Sequence, residues 1–278
     1  MFDLELFLHD QQQLREKYGK MFVNTLIMKD ELARLAAMKE TQVISTENGL
    51  FILKAEADFF RLYCFVDGRE PEKAITGFLE HNRFDCPIVF DLVGRKKRIE
   101  KLKQHLNENA ISPYAEYDRY ILTDRITPRG FYQQLTDPDT IRFGFSEAKD
   151  AERIREIFLT NFDRFTSHIP IDPSVIKKRI ENREICTIHC RDELTAVFCF
   201  EILDAENVHL NVIASSDIHD SLGFAPLLYE YVLDLFDDKT KFICWIEQNN
   251  QASIAMHDAF GFSRDNKMTL KIYKYGGN

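Results

Sequence analysis

The chain has 278 residues, 45% of them hydrophobic, and 36 Lys and Arg against 45 Asp and Glu give a net charge of −9. That length suits one large domain or two ordinary ones, and the apolar share excludes an intrinsically disordered chain. The acidic balance argues against nonspecific nucleic-acid binding, and no stretch nears the roughly 18 apolar residues of a membrane span.

The chain opens on MFDLELFLHD, acidic and with an apolar run that breaks early. This is no signal-peptide pattern, so a soluble, cytoplasmic protein without a membrane partner is expected. A helical region reaches to about Lys39. TQVIST, GLFILKAE and FFRLYCFV then predict strands, EPEKAITGFLEHN a helix and CPIVFDLV a strand. RKKRIEKLKQHLNEN follows as a helix whose basic start, Arg95 to Arg98, is a solvated face, and YDRYILTD as a closing strand. The Pro- and Gly-bearing stretch 124–140 has the composition of a linker. It divides the chain into expected domains at 1–130 and 140–278.

Beyond it, IRFGF predicts a short strand and SEAKDAERIREIFLTNF a helix with Ile154, Ile157, Phe158 and Phe162 on one face. Residues 183–215 hold three apolar runs joined by polar turns, the pattern of an antiparallel meander. GFAPLLYEYVLDLF is helical, with Pro226 tolerated in its first turn. KFICWIE is a strand, NNQASIAMHDAFGF a helix ended by Gly261, and MTLKIYKY a last strand. From residue 41 onward the first half has nearly this same element order.

The six cysteines sit mostly in apolar strands, as Cys64, Cys199 and Cys244 do, which fits buried free thiols in a reducing compartment. Cys186, His189 and Cys190 lack a second ligand pair at zinc spacing, so no metal is expected.

Three features point to chemistry. First, a strand entering a helix through small residues leaves main-chain N–H groups unpaired at the helix start, beside the positive end of its dipole. Around Asp220, Ser221, Leu222, Gly223, Phe224 and Ala225 this makes a seat for a phosphate, because Gly223 and Ala225 let oxygens approach the backbone. The plainer alternative is that Gly223 only turns the chain. Second, in VHLNVIAS the residues His209, Asn211 and Ile213 would share one strand face. A buried central strand is normally apolar on both faces, so His209 and Asn211 imply solvent or a polar cleft. His209 can serve as a base near neutral pH or as a hydrogen-bonded structural histidine. Third, Glu247, after the KFICWI strand, is a second base candidate or a solvated charge.

The C-terminal half resembles the GNAT acetyltransferase superfamily in two segments, NVIASSDIHDSLGFAPLL and NNQASIAMHDAFGF. The first is similar to the family's central strand and pyrophosphate turn, and the second to its Asn-x-x-Ala-x-x-x-Tyr-x-x-x-Gly-Phe helix. Asn250, Gly261 and Phe262 match the latter, while Ser253 and His257 take the Ala and Tyr places. Asp220 stands where the family carries Gln or Arg, and no Lys or Arg occurs between Asn211 and Asp238. A carboxylate there opposes a diphosphate.

The resemblance implies two GNAT-like α/β (α+β) domains, the N-terminal one degenerate, each a mixed, mostly antiparallel sheet flanked by helices. It implies acetyl-CoA as cosubstrate and a small-molecule or peptide amine as acceptor. It also implies site roles. His209 falls where some members carry a base glutamate, and His257 where a tyrosine donates to the coenzyme A sulfur. Ile213, Ser215 and Asn250 fall where members hold the pantetheine arm, and Ser221, Gly223, Phe224 and Ala225 where they hold the pyrophosphate. The alternative is a GNAT-fold binding protein that has lost catalysis. His257 as an exposed helix histidine is the corresponding plain reading. The sequence leaves the oligomeric state open.

Overall fold

The computed structural model describes residues 1–25, 27, 29–123, 132–133, 140–166, 172–216 and 223–276, which hold twelve strands and eight α-helices. They form two compact units, Met1–Asp118 with Asn266–Asn278, and Arg119–Asp265. The sequence divides at 1–130 and 140–278 by composition, whereas the structure returns the end of the last strand to the first unit. Most of the expected linker lies outside the described residues.

The first unit begins with α1 (Leu4–Tyr18), capped by Asp3, whose carboxylate accepts from the Leu6 N–H at 3.1 Å. β1 (Met21–Val23) and α2 (Lys29–Ala37) follow, then β2 (Thr41–Thr46), β3 (Gly49–Ala55) and β4 (Phe60–Asp67). α3 (Pro71–His81) crosses to β5 (Ile88–Arg95), and α4 (Lys96–Glu108) leads to β6 (Pro113–Leu122). Pro71 stands at the helix start, where its missing N–H costs nothing. The strand order is β2-β3-β4-β5-β12, the last being Ser263–Tyr275. β2, β3 and β4 are antiparallel neighbours, β4 and β5 are parallel, and β12 returns antiparallel to β5 from Met268 to Tyr275.

Strand alternation sends Phe51, Leu53, Leu62 and Cys64 to the core under α3 and α4, and Leu50, Ile52, Tyr63 and Phe65 to a second core that includes Phe7 and Leu35. Lys271 is wholly buried, held by Glu116 and, at 3.0 Å, by Glu100.

In the second unit the order is β6-β11-β10-β9-β8-β7. β7 (Ile141–Phe145) leads through a 3-10 turn to α5 (Ala151–Asn161) and α6 (Pro173–Glu181). β8 (Ile185–Cys190), β9 (Glu193–Ile202) and β10 (Asn207–Ser215) form the antiparallel meander that the apolar runs predict. α7 (Phe224–Asp234), β11 (Lys241–Glu247) and α8 (Gln251–Ala259) complete it. One face packs Leu228, Tyr229, Val232 and Phe262 against Phe198, Leu210 and Phe242, while the other packs Ile154, Phe158 and Ile176 against Val197 and Ala214.

Two elements depart from the sequence prediction. α6 was not expected, although Asp172 caps it through the Ser174 N–H at 2.8 Å and Pro173 opens it. β1, inside the stretch expected to be helical, has only three residues, too few for a periodicity to show.

Candidate active site

The site is built on β10 and its parallel neighbour β11. They pair from Asn207↔Lys241 to Leu210↔Cys244 and no farther. Beyond that point the strands part, with Asn211–Ser215 on one side of the fork and Trp245–Glu247 on the other. A bulge explains the divergence. β10 keeps its register with β9 up to Leu210↔Phe200, then resumes at Val212↔Cys199, so Asn211 is the extra residue. Such a residue bends the strand and increases its local twist.

The bulge also corrects the expected face assignment. Val208, Leu210 and Ile213 join the core beneath α7, whereas Val212 and Ala214 face α5 and α6. Ile213 is therefore on the opposite face from His209, because one inserted residue inverts the alternation. His209 stands half-buried opposite Glu201 on β9 and Ile243 on β11. Beside Asn211 lies the Cys199 thiol, which burial pushes up to about 11. Nearby, burial first and Glu201 in addition raise the Glu184 carboxyl, against the pull of Arg179 at 3.5 Å. This end of β10 is thus rich in polar groups on the α5–α6 side.

At the other end of the fork, Ser215 is buried and its carbonyl accepts from Asn161 Nδ2 at 3.3 Å. Glu247 closes β11 half-buried, its carbonyl accepting from the Asn250 N–H at 3.0 Å. Asn250 is exposed and caps α8, its Oδ1 accepting from the Ser253 N–H at 2.9 Å. That oxygen is committed to the cap, and the Nδ2 donors are what Asn250 offers a ligand.

The start of α7 is described from Gly223 onward. Gly223 is its cap, with φ 68° and ψ 29° in the left-handed region. Among the described residues a Cβ built there would meet nothing within 4 Å. Phe224 is buried, Ala225 is half-buried, and Pro226 falls in the first turn, where its missing N–H leaves no helical bond unmade. No acidic side chain lies in that turn. Ser221, with Asp220 and Leu222, lies outside the described residues.

His257 departs from the exposed position of its plain reading. It is 5% exposed, 5.0 Å from the Tyr229 ring and 5.1 Å from Phe262, both edge-on. Its Nδ1 lies 2.7 Å from the Ser253 carbonyl, which can only accept, so Nδ1 carries the proton and Nε2 of the neutral ring is an acceptor. Burial lowers its pKa and keeps it neutral. The neutral ring has no second N–H to offer a leaving thiolate. His209 and His257 belong to opposite faces of the sheet, so the structure does not gather the catalytic candidates into one cluster.

Tyr229 is a further group at this place. It is fully buried, stacked on Phe198 and Phe260, and among the described residues its hydroxyl has no hydrogen-bond partner. Burial raises its pKa far above the ordinary tyrosine value. In the sequence it is one aromatic among several in LLYEYVL and carries no distinguishing signal.

Solved structures share the overall fold of this chain at low sequence identity. A chain described as a tandem GNAT protein from the clavulanic acid biosynthesis pathway superposes with a TM-score of 0.57 at 12% identity, covering 99% of this chain and 95% of that one. The fold is that of the GNAT acetyltransferases. A GCN5-related N-acetyltransferase from Sphaerobacter thermophilus shares the GNAT fold at TM-score 0.57 and 8% identity, over 94% of this chain and 89% of that one. A fungal multi-domain GH3 β-N-acetylglucosaminidase with a GCN5-related glucosamine N-acetyltransferase region reaches TM-score 0.66 at 13% identity. It covers 98% of this chain and 37% of that longer one. No protein-family model and no curated protein matches this GNAT-fold chain. Among the described residues no helix is long and apolar enough to cross a membrane, and no three His, Cys, Asp or Glu side chains group as metal ligands would.

Proposed function

We propose that the chain is an acetyl-CoA-dependent N-acetyltransferase whose second unit acts on the primary amine of a small molecule or peptide. The observation that carries this reading is the end of β10–β11 pairing after Leu210 and Cys244, which leaves two strand edges apart beside the Gly223 corner. Acetyl-CoA supplies the acetyl group as a thioester when bound. Ser215, Ile213 and the Asn250 amide would hold its arm along the fork, and the main chain at Gly223, Phe224 and Ala225 would hold its diphosphate. The α7 start fits this role, since no acidic residue lies in its first turn.

The chemistry needs a base and an oxyanion donor. His209 takes the proton from the acceptor ammonium, and the freed nitrogen attacks the carbonyl carbon. The C–N bond forms as the C–S bond breaks, the electron pair leaves on sulfur as a thiolate, and the second proton that the attached nitrogen must lose passes to that thiolate or to water. The Ile213 N–H is the oxyanion donor in this reading, and Glu247 is the alternative base. His257 contributes as a fixed wall rather than as an acid, since its N–H is committed to Ser253. The thiolate needs no such acid, being a fair leaving group on its own.

A second reading, a GNAT-fold binding protein without catalysis, is favoured by Asp220 in the phosphate turn and by the committed proton of His257. Titration calorimetry with acetyl-CoA separates the two. Saturable heat at millimolar cofactor or below, followed by thiol release with an amine panel, is the expected outcome. Neither heat nor thermal stabilisation under those conditions ends the enzyme reading.

A further inference from the structure

The first unit repeats the parallel fork and fills it with its own chain. β4 and β5 pair in parallel only at Phe60↔Ile88 and Arg61↔Val89. β3 covers one edge of β4 from Phe60 to Val66, so beyond Arg61 the opposite edge faces a gap. In the second unit the corresponding gap follows Leu210 and Cys244. Here it is occupied by Asn24, directly after β1.

Asn24 is 0% exposed and bonds both sides of the fork. On the β4 side its Nδ2 donates to the Leu62 carbonyl at 3.1 Å, its Oδ1 accepts from the Cys64 N–H at 2.6 Å, and its own N–H donates to the Cys64 carbonyl at 3.3 Å. On the β5 side Nδ2 also donates to the Asp91 carbonyl at 3.0 Å, and the Asn24 carbonyl accepts from the Val93 N–H at 2.8 Å. Five main-chain groups that the parting strands leave without each other are satisfied by one residue. A primary amide suits this because it has two donor hydrogens and an acceptor oxygen, whereas a carboxylate only accepts.

The plug is anchored at its base. β1 pairs antiparallel with β4 from Met21↔Asp67 to Val23↔Phe65, and Phe22 is buried in the core under α3 and α4. The Gly68 N–H donates to the Lys20 carbonyl at 2.9 Å, and a Cβ on Gly68 would sit 2.9 Å from that same oxygen. Only glycine permits the approach.

We infer that Asn24 is an internal surrogate for the amide-bearing arm of an acyl donor, so that the first unit is closed to acyl-CoA and the chain has one donor site. The closure stands independently of the second unit's activity; the donor count rests on the proposed function.

Two measurements on the full chain test it. In amide-resolved hydrogen exchange, the Cys64 N–H of the natural chain is expected among the slowest of the first unit. Asn24→Ala should speed it by at least about tenfold, the equivalent of one lost hydrogen bond, while amides of β8 and β9 are unchanged. Asn24→Asp should lower the melting temperature more than Asn24→Ala, since its oxygens would face the Leu62 and Asp91 carbonyls. Cys64 exchanging in the natural chain as fast as the turn residue Asn48 overturns the closure, and that result needs no variant to fold. Calorimetry should give one equivalent of acetyl-CoA per chain, and two equivalents overturn it. If no acetyl-CoA binds at all, the proposed function falls while the exchange result still decides the role of Asn24.

Discussion

His257 gives the second unit a pH dependence that can be worked out from its surroundings. Burial among Tyr229, Tyr120 and Phe262 lowers its pKa, outweighing the bond to Ser253 and the charge of Asp258. The unfolded chain therefore binds more protons than the folded one below the ordinary histidine value of 6.5. Stability falls as pH drops through that value and levels only below the folded-state pKa. The limiting slope is about 1.4 kcal/mol per pH unit, so going from about pH 6.5 to 5.5 removes at most ~1.4 kcal/mol. At ~2–4 °C per kcal/mol for a large domain, the melting temperature falls by up to about 6 °C.

His257→Phe should abolish this component. It keeps an aromatic ring against Tyr229 and gives up a hydrogen bond of about 1 kcal/mol. The chain has eight histidines, so the informative quantity is the difference between natural and variant curves. Thermal unfolding followed by near-ultraviolet circular dichroism across this range measures it. Curves that stay parallel over the whole range would refute the assignment of a neutral, buried imidazole.

Gly223→Ala should destabilise the chain by about 1–2 kcal/mol in urea unfolding, since φ of 68° is costly for a residue with a Cβ even though that Cβ would meet nothing among the described residues. Lys271→Ala should cost about 1–3 kcal/mol, because it leaves Glu100 without its cation and Glu116 with Lys103 alone, both carboxylates being partly exposed, and a chemical denaturation midpoint reads the loss. His209→Ala should lower kcat by about 10²–10⁴-fold at saturating acetyl-CoA, with the deficit shrinking as pH rises and the amine deprotonates itself. Unchanged turnover would transfer the base role to Glu247.

Most of the element order was legible because it depends on local periodicity. The meander of β8, β9 and β10 follows from three apolar runs, and α7 from a helical stripe with proline in its first turn. The GNAT resemblance located the forked strand and the glycine corner from two short segments. What escaped prediction is long-range or too short to have a period. The Asn211 bulge depends on how β9 pairs with β10, so the side exchange at Ile213 could not be read from alternation. His257 looked like one more residue on a helix of mixed polarity, and its burial arises from the rings of Tyr229, Phe262 and Tyr120 around it. Asn24 follows a three-residue strand in a stretch expected to be helical, and its partners lie 38 to 69 residues away.

The route of β12 bears on how the polypeptide can be cut. Its first residues, through Asp265, belong with the second unit, those from Asn266 onward belong with the first, and Met268–Tyr275 pair with β5. An excised N-terminal fragment would lack this flank, baring the amides and carbonyls of Ile88–Arg95, an invitation to intermolecular pairing. During synthesis the same ribbon stays uncovered until residues 268–275 have been made. Isolating the N-terminal half therefore calls for grafting 266–276 behind Asp118 on a short tether rather than for simple truncation.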